Sequence, residues 1–299
     1  MREGMPMADA PVIGLVLDAK NHLGETPVWS AAEQALYWVN CEEPPELLRW
    51  DSRSGAVRRW PMPKRIGGFV LKQSGGALVV LADGLYDFDF ASGSLALRVA
   101  SPLPAGVSLH ECVCDPAGRF WVGAINDAIG PDNLHPGGGA LFRLDGDALV
   151  PVIEDVSCAN GLAFSPDGRT LYFADSPTGR CDRWDVDPTT GAISNRRPLI
   201  ELAPGEGFVD GATVDAEGGY WATIVYTGGL RRYRADGSLD RDIRLPFRNP
   251  TMVCFGGPDL GTMFITTLSE GEGTEAGRDG GLFAFRPGVT GVPEILFPG

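Results

Sequence analysis

The sequence predicts an all-β fold, a six-bladed β-propeller built as one domain over residues 11–299. Three observations carry that prediction. A strand–turn–strand pattern recurs six times, a second kind of strand follows each copy, and turn-forming residues are abundant. The chain has 299 residues, with 41 glycines and 24 prolines, which punctuate turns and favour many short strands over long helices.

The clearest copies of the pattern are Cys112–Gly123, Gly161–Ala174 and Gly211–Ala222. Weaker copies are Thr26–Val39, Phe69–Val80 and Thr251–Ile265. The strands that follow are Leu47–Asp51, Gly84–Asp89, Ala140–Asp145, Cys181–Asp185, Gly229–Tyr233 and Gly281–Phe285. A fourth, variable strand is expected after each. Repeats of about 40 to 50 residues with about four strands apiece are the signature of a propeller. The early stretch Ile13–Asp18 is expected to complete the last blade and so remove a free edge. Residues 1–10 are read as a flexible N-terminus.

Composition excludes several classes. Hydrophobic residues make up 43% and charged residues 21%, an ordinary globular balance. The net charge of −14 and the pI near 4.6 disfavour nucleic acid and anionic membrane surfaces. The six cysteines form no Cys-x-x-Cys pair and are too sparse for a disulfide scaffold, so they read as small buried hydrophobes. Met1–Asp9 lacks a signal-peptide pattern, and no run of about 18 apolar residues exists. The expectation is a cytoplasmic protein, a monomer or weak homo-oligomer, acting on a small molecule.

The repeat also supplies a ruler. The turn opens at Ser30, Gln73, Asp115, Ser165, Asp215 and Phe255. Five positions earlier stand Glu25, Gly68, His110, Asn160, Asp210 and Pro250. The innermost strand of each propeller blade lines the central channel, so these six form a ring at one depth. Singly, Asn160-Gly161 and Asp210-Gly211 are turn dipeptides. Their shared register with Glu25 favours a site. Two carboxylates and an amide in one channel would repel or go unsatisfied without a partner, and one divalent cation resolves both problems. Oxygen donors suit Ca²⁺, Mg²⁺ or Mn²⁺ best, with Zn²⁺ kept open.

At these residues the chain resembles the senescence-marker-protein, gluconolactonase and luciferin-regenerating-enzyme family, the regucalcin-like proteins. The stretches that carry the resemblance are Leu23-Gly-Glu-Thr-Pro-Val-Trp29, Asn160-Gly-Leu-Ala-Phe-Ser-Pro-Asp-Gly168, Asp210-Gly-Ala-Thr-Val-Asp-Ala-Glu-Gly218, Cys254-Phe-Gly-Gly-Pro-Asp-Leu260 and Gly291-Val-Pro-Glu294. The resemblance implies a metal on Glu25, Asn160 and Asp210, and hydrolysis of sugar lactones. It also exposes a departure. Family lactonases carry Arg-x-Asn-Asp-Gly where this chain has Ser108-Leu-His-Glu-Cys112. Ser108 replaces the substrate-binding Arg and His110 the Asn.

The expected roles follow. Asp210 is the catalytic base, and Glu25 and Asn160 are metal ligands beside it. His110 and Ser108 contact substrate. Asn126, Asp127 and Tyr226 follow the second repeat strand and are expected at the channel mouth. Two alternatives stay open: hydrolysis of aryl esters or phosphotriesters, and calcium binding without catalysis.

Overall fold

In the computed structural model of the chain, residues 11–130, 132–269 and 279–299 are described. The N-terminal segment 1–10, read above as flexible, lies outside them. Six four-stranded antiparallel sheets account for the strands.

The first strand, β1 (Gly14–Leu17), belongs to the last blade. Blade 1 runs β2 (Gly24–Ser30), β3 (Ala35–Asn40), β4 (Glu46–Asp51) and β5 (Val57–Pro61). Blade 2 runs β6 (Ile66–Leu71), β7 (Ala77–Leu81), β8 (Gly84–Phe88) and β9 (Leu95–Ala100). Blade 3 holds β10 (Val107–Cys114), β11 (Phe120–Asn126), β12 (Gly139–Asp145) and β13 (Ala148–Val156). In blade 4 the strands are β14 (Ala159–Phe164), β15 (Thr170–Asp175), β16 (Arg180–Val186) and β17 (Ile193–Glu201). Blade 5 is β18 (Phe208–Val214), β19 (Tyr220–Val225), β20 (Gly229–Tyr233) and β21 (Leu239–Arg244). Blade 6 contributes β22 (Pro250–Gly256), β23 (Thr262–Thr267) and β24 (Leu282–Phe285), and β1 pairs with β24 from outside. That pairing closes the ring, as the early strand predicted, and spares β24 an open edge.

Burial falls from the axis outward. Every residue of β2, β6, β14 and β22 is buried or nearly so, whereas β5 exposes four of its five residues and β9 three of its six. The six cysteines are free and buried.

The turns between first and second strands are locked by their opening residue. Asp215 is fully buried and accepts from the amides of Glu217 and Gly219 at 3.0 and 2.8 Å. It also accepts from the Trp221 indole at 2.7 Å and from Arg232 Nε at 2.7 Å. Asp115 repeats the scheme in blade 3 with Ala117, Arg119 and Trp121. One carboxylate thus ties turn, second strand and inter-blade aromatic together.

The C-terminal tail spans one end of the channel. Gly291 bridges Asp215 of blade 5, and Phe297 bridges Lys72 of blade 2. Between them Pro293, Glu294 and Ile295 line a cavity of about 310 Å³ with residues of all six inner strands. The opposite end is free of this strap.

Replacing Asp215 by Ala removes the buried acceptor of two turn amides, the Trp221 indole and Arg232 Nε, and leaves Arg232 to Asp240 and Glu217. The expected loss is about 3–5 kcal/mol in denaturant unfolding. D115A should cost less, because its partner Arg119 is 20% exposed and can turn to water.

Candidate functional site

The six ring residues stand on the six inner strands, Glu25 on β2, Gly68 on β6, His110 on β10, Asn160 on β14, Asp210 on β18 and Pro250 on β22. Each inner strand carries a register shift close to that position, for example between Glu25 and Val28, Asn160 and Ala163, and Val209 and Ala212. Such bulges re-aim side chains. Here they turn the ring residues toward the axis while the rest of each strand keeps its pleat. The two dipeptides that look like hairpin turns are therefore interior strand positions. Gly161 has φ +60°, and a Cβ there would lie 2.6 Å from Tyr220 Oη. A Cβ on Gly211 would lie 2.3 Å from Met252 Cγ of the next blade. Close approach between blades, not turning, explains both glycines. Thr26, beside Glu25, also holds a left-handed φ of +48°, a strained conformation of the sort that collects at functional sites.

A cavity of about 580 Å³ opens at the end of the channel away from the tail. Glu25, His110, Asn160 and Asp210 meet in it, and Tyr226 stands at its side. Three other expected residues do not line it. Ser108 Oγ turns to the Asp127 carboxylate at 3.3 Å. Asn126 donates to the Gly137 carbonyl at 2.8 Å and accepts from the Ala128 amide at 2.9 Å, so it builds the loop after β11. Its neighbour Ile125 is the residue of that strand that reaches the cavity. Side chains alternate along a strand, and the strand end placed the wrong member of the pair inward.

Glu25 is 6% exposed, and among the described residues its carboxylate accepts one hydrogen bond, from the adjacent Thr26 amide at 3.2 Å. Burial raises its carboxyl to about 8, while the Thr26 amide and the Arg65 guanidinium pull the other way. Asp210 keeps a partial opening to the cavity but is otherwise enclosed by protein. Desolvation, and then the charge of Glu25, push it well above the usual carboxylate range. Burial brings His110 down to about 3, with Arg65 adding to the effect, so its imidazole is neutral. It can exchange hydrogen bonds, but it is not a proton donor in the imidazolium form. Asn160 gives its amide nitrogen to Ser176 Oγ at 2.8 Å, and Ser176 in turn donates to the Val209 carbonyl at 2.6 Å. The amide oxygen is left as the acceptor for the cavity.

Sequence reasoning missed four contributors. Glu111, next to His110, is buried, accepts from the Leu162 amide, and feels both Glu25 and Asp210. Burial carries it well above its ordinary range. Ser176 orients Asn160. Arg65 and Phe208 line the cavity from outside the ring register. The sequence shows Glu111 beside the His of the ring but not its burial.

Two buried carboxylates without a bound cation are an electrostatic cost, and their oxygens together with Asn160 Oδ1 form a hard donor set that fits a divalent ion. Among the described residues no group of three or more His, Cys, Asp or Glu side chains is disposed to hold a metal. The set therefore depends on the Asn160 amide for its third donor.

The sequence matches the SMP-30/Gluconolactonase/LRE-like region over residues 23–269. The chain belongs to that family. It is 39% identical to a 6-deoxy-6-sulfogluconolactonase of Pseudomonas putida, over 93% of this chain and 95% of the relative. It is 34% identical to the pentonolactonase XacC of Haloferax volcanii, over 94% and 96%. The fold is similar to that of a calcium-binding protein, regucalcin, from Agrobacterium tumefaciens, with a TM-score of 0.88 at 26% identity, covering 96% and 98%.

The raised Glu25 carboxyl has a measurable consequence in metal-free protein. The folded chain keeps this proton up to about pH 8, whereas the ordinary value is 4.5. Between those values the folded state binds more protons than the unfolded one, so this group's contribution to stability falls as pH rises. In chelator-treated protein the thermal midpoint of E25Q minus that of wild type should grow between about pH 5.5 and about pH 8. A constant difference would contradict the assignment.

Proposed function

We propose that this chain hydrolyses sugar lactones in the open-ended cavity, with one divalent cation held by Glu25, Asn160 and Asp210. The observation that carries the reading is the convergence of two buried carboxylates and an oriented amide oxygen at the floor of a solvent-accessible cavity. The lactonase relatives, aligned over nearly the whole chain, support the choice of substrate class.

A divalent cation there supplies electrophilic polarisation of an ester carbonyl. The protein supplies the rest. Asp210 is the more open of the two carboxylates and accepts the proton of the attacking water. As the tetrahedral adduct collapses, the ring C–O bond breaks and the same proton passes to the departing ring oxygen. The product is the open-chain acid. Glu25 and Asn160 hold position, Asn160 through its bond to Ser176. Neutral His110 is placed to exchange a hydrogen bond with a sugar hydroxyl, since its Nδ1 is buried without a partner. Phe208 and Tyr226 pack edge to face at 6.1 Å and give the cavity an apolar side for the C–H face of a sugar ring.

D210N should lower kcat for glucono-1,5-lactone by about 10²- to 10⁴-fold, the range for loss of a positioned base. Full turnover by the variant would sink the role of Asp210. Exhaustive chelation should abolish lactone opening, and added Ca²⁺, Mg²⁺, Mn²⁺ or Zn²⁺ should restore it to differing degrees. Activity that survives chelation would remove the cation from the account. A panel including aryl esters and a phosphotriester should rank below the lactones. Tight cation binding with no turnover on any ester would favour a binding role instead.

A further inference from the structure

Among the described residues that line the cavity Arg65 is the one cation, and it has no use in the chemistry above. It immediately precedes β6, and its carbonyl is fixed by the Ala82 amide at 3.1 Å. Blade 2 has Gly68 at the ring position, so Arg65 is the polar side chain it sends to the cavity. Its side chain is 18% exposed, and Nη1 is buried with no hydrogen-bond partner among the described residues. The nearest ionic partner is Glu42, 3.8 Å from Nε and 42% exposed at the rim, too distant and too wet to neutralise it. The guanidinium acts inward instead, on Glu25 and on His110.

A buried donor left unpaired is costly, and a buried cation left uncompensated more so. Of the polar side chains that also line the cavity, Glu25, Asn160, Ser176 and Asp210, none accepts from Arg65 Nη1. Ile125, Ile129, Leu134, Val225 and Leu268 are apolar, and His110 is neutral. A cation on Glu25 and Asp210 would cancel those two carboxylates and leave Arg65 as surplus positive charge. A sugar hydroxyl answers the hydrogen bond but not the charge.

We infer that Arg65 is a specificity residue that receives an anionic substituent of the lactone, a carboxylate, phosphate or sulfonate group remote from the ester. The inference rests on the lactonase reading and narrows its substrate class. An Arg fork suits such groups through paired N–H donors. The ester then lies toward Asp210 and the acid group toward blade 2.

The test compares 6-phosphoglucono-1,5-lactone with glucono-1,5-lactone on wild type, R65M and R65K. Wild type should prefer the phosphorylated lactone. In R65M the ratio of the two kcat/KM values should fall by about 10- to 100-fold, through KM, the size expected for a hydrogen bond to a charged group. R65K should recover part of it. A second readout needs no turnover. Calorimetric binding of 6-phosphogluconate should weaken in R65M relative to binding of gluconate, with and without added divalent metal. An unchanged ratio in both readouts would overturn the assignment, as would equal losses for both lactones. Inorganic phosphate binding as tightly as 6-phosphogluconate would also overturn it, by showing a free-anion site. If wild type opens neither lactone, the lactonase reading fails, and the calorimetric ratio alone decides Arg65.

Discussion

Six inner strands share one axis, and every feature of the site descends from that constraint. A side chain at a given register of one blade must face its equivalents from the others across a channel a few side chains wide. Closure by β1 on β24 makes the arrangement a ring rather than an open array. Once closed, the ring cannot move Glu25 and Asp210 apart without opening a blade interface. Their proximity is imposed by the fold, and the electrostatic cost of it is what a bound cation relieves.

The two ends of the channel are treated differently. At one end the tail from Gly291 to Phe297 bridges blade 5 to blade 2. At the other end loops leave a cavity large enough for a monosaccharide. The ring residues lie on the open side of the bulges, and mostly apolar residues of the inner strands line the cavity on the strapped side. Stability and chemistry are thereby separated along one axis. The buried Asp115 and Asp215 networks serve the turns, and Glu25, buried, and Asp210, partly open, serve the cavity. The same residue types do opposite work because the first pair has its donors supplied by the chain and the second does not.

Much of this was legible in the sequence because the bulge recurs in all six inner strands. Counting back from the turn works only if each strand carries the same irregularity, and each does. The number of blades, the closing strand and the meeting of Glu25, His110, Asn160 and Asp210 follow from that regularity. What lies off the repeat was not legible. Asn126 and Asp127 are at the end of β11, where a loop of irregular length decides their direction. Arg65 precedes its strand, and Glu111 owes its place to the bulge beside it. Their burial comes from neighbouring blades that no local pattern reports.

The proposed function places a cation at the floor of the cavity. The most direct test is titration of metal-free protein with Ca²⁺ and Mn²⁺ by calorimetry, for wild type and for E25Q, N160A and D210N. One cation per chain is expected in wild type, with affinity rising with pH as Glu25 and Asp210 lose their protons. Each variant should bind far more weakly. Unaltered affinity and stoichiometry in all three variants would contradict the account, because the cation would then sit elsewhere.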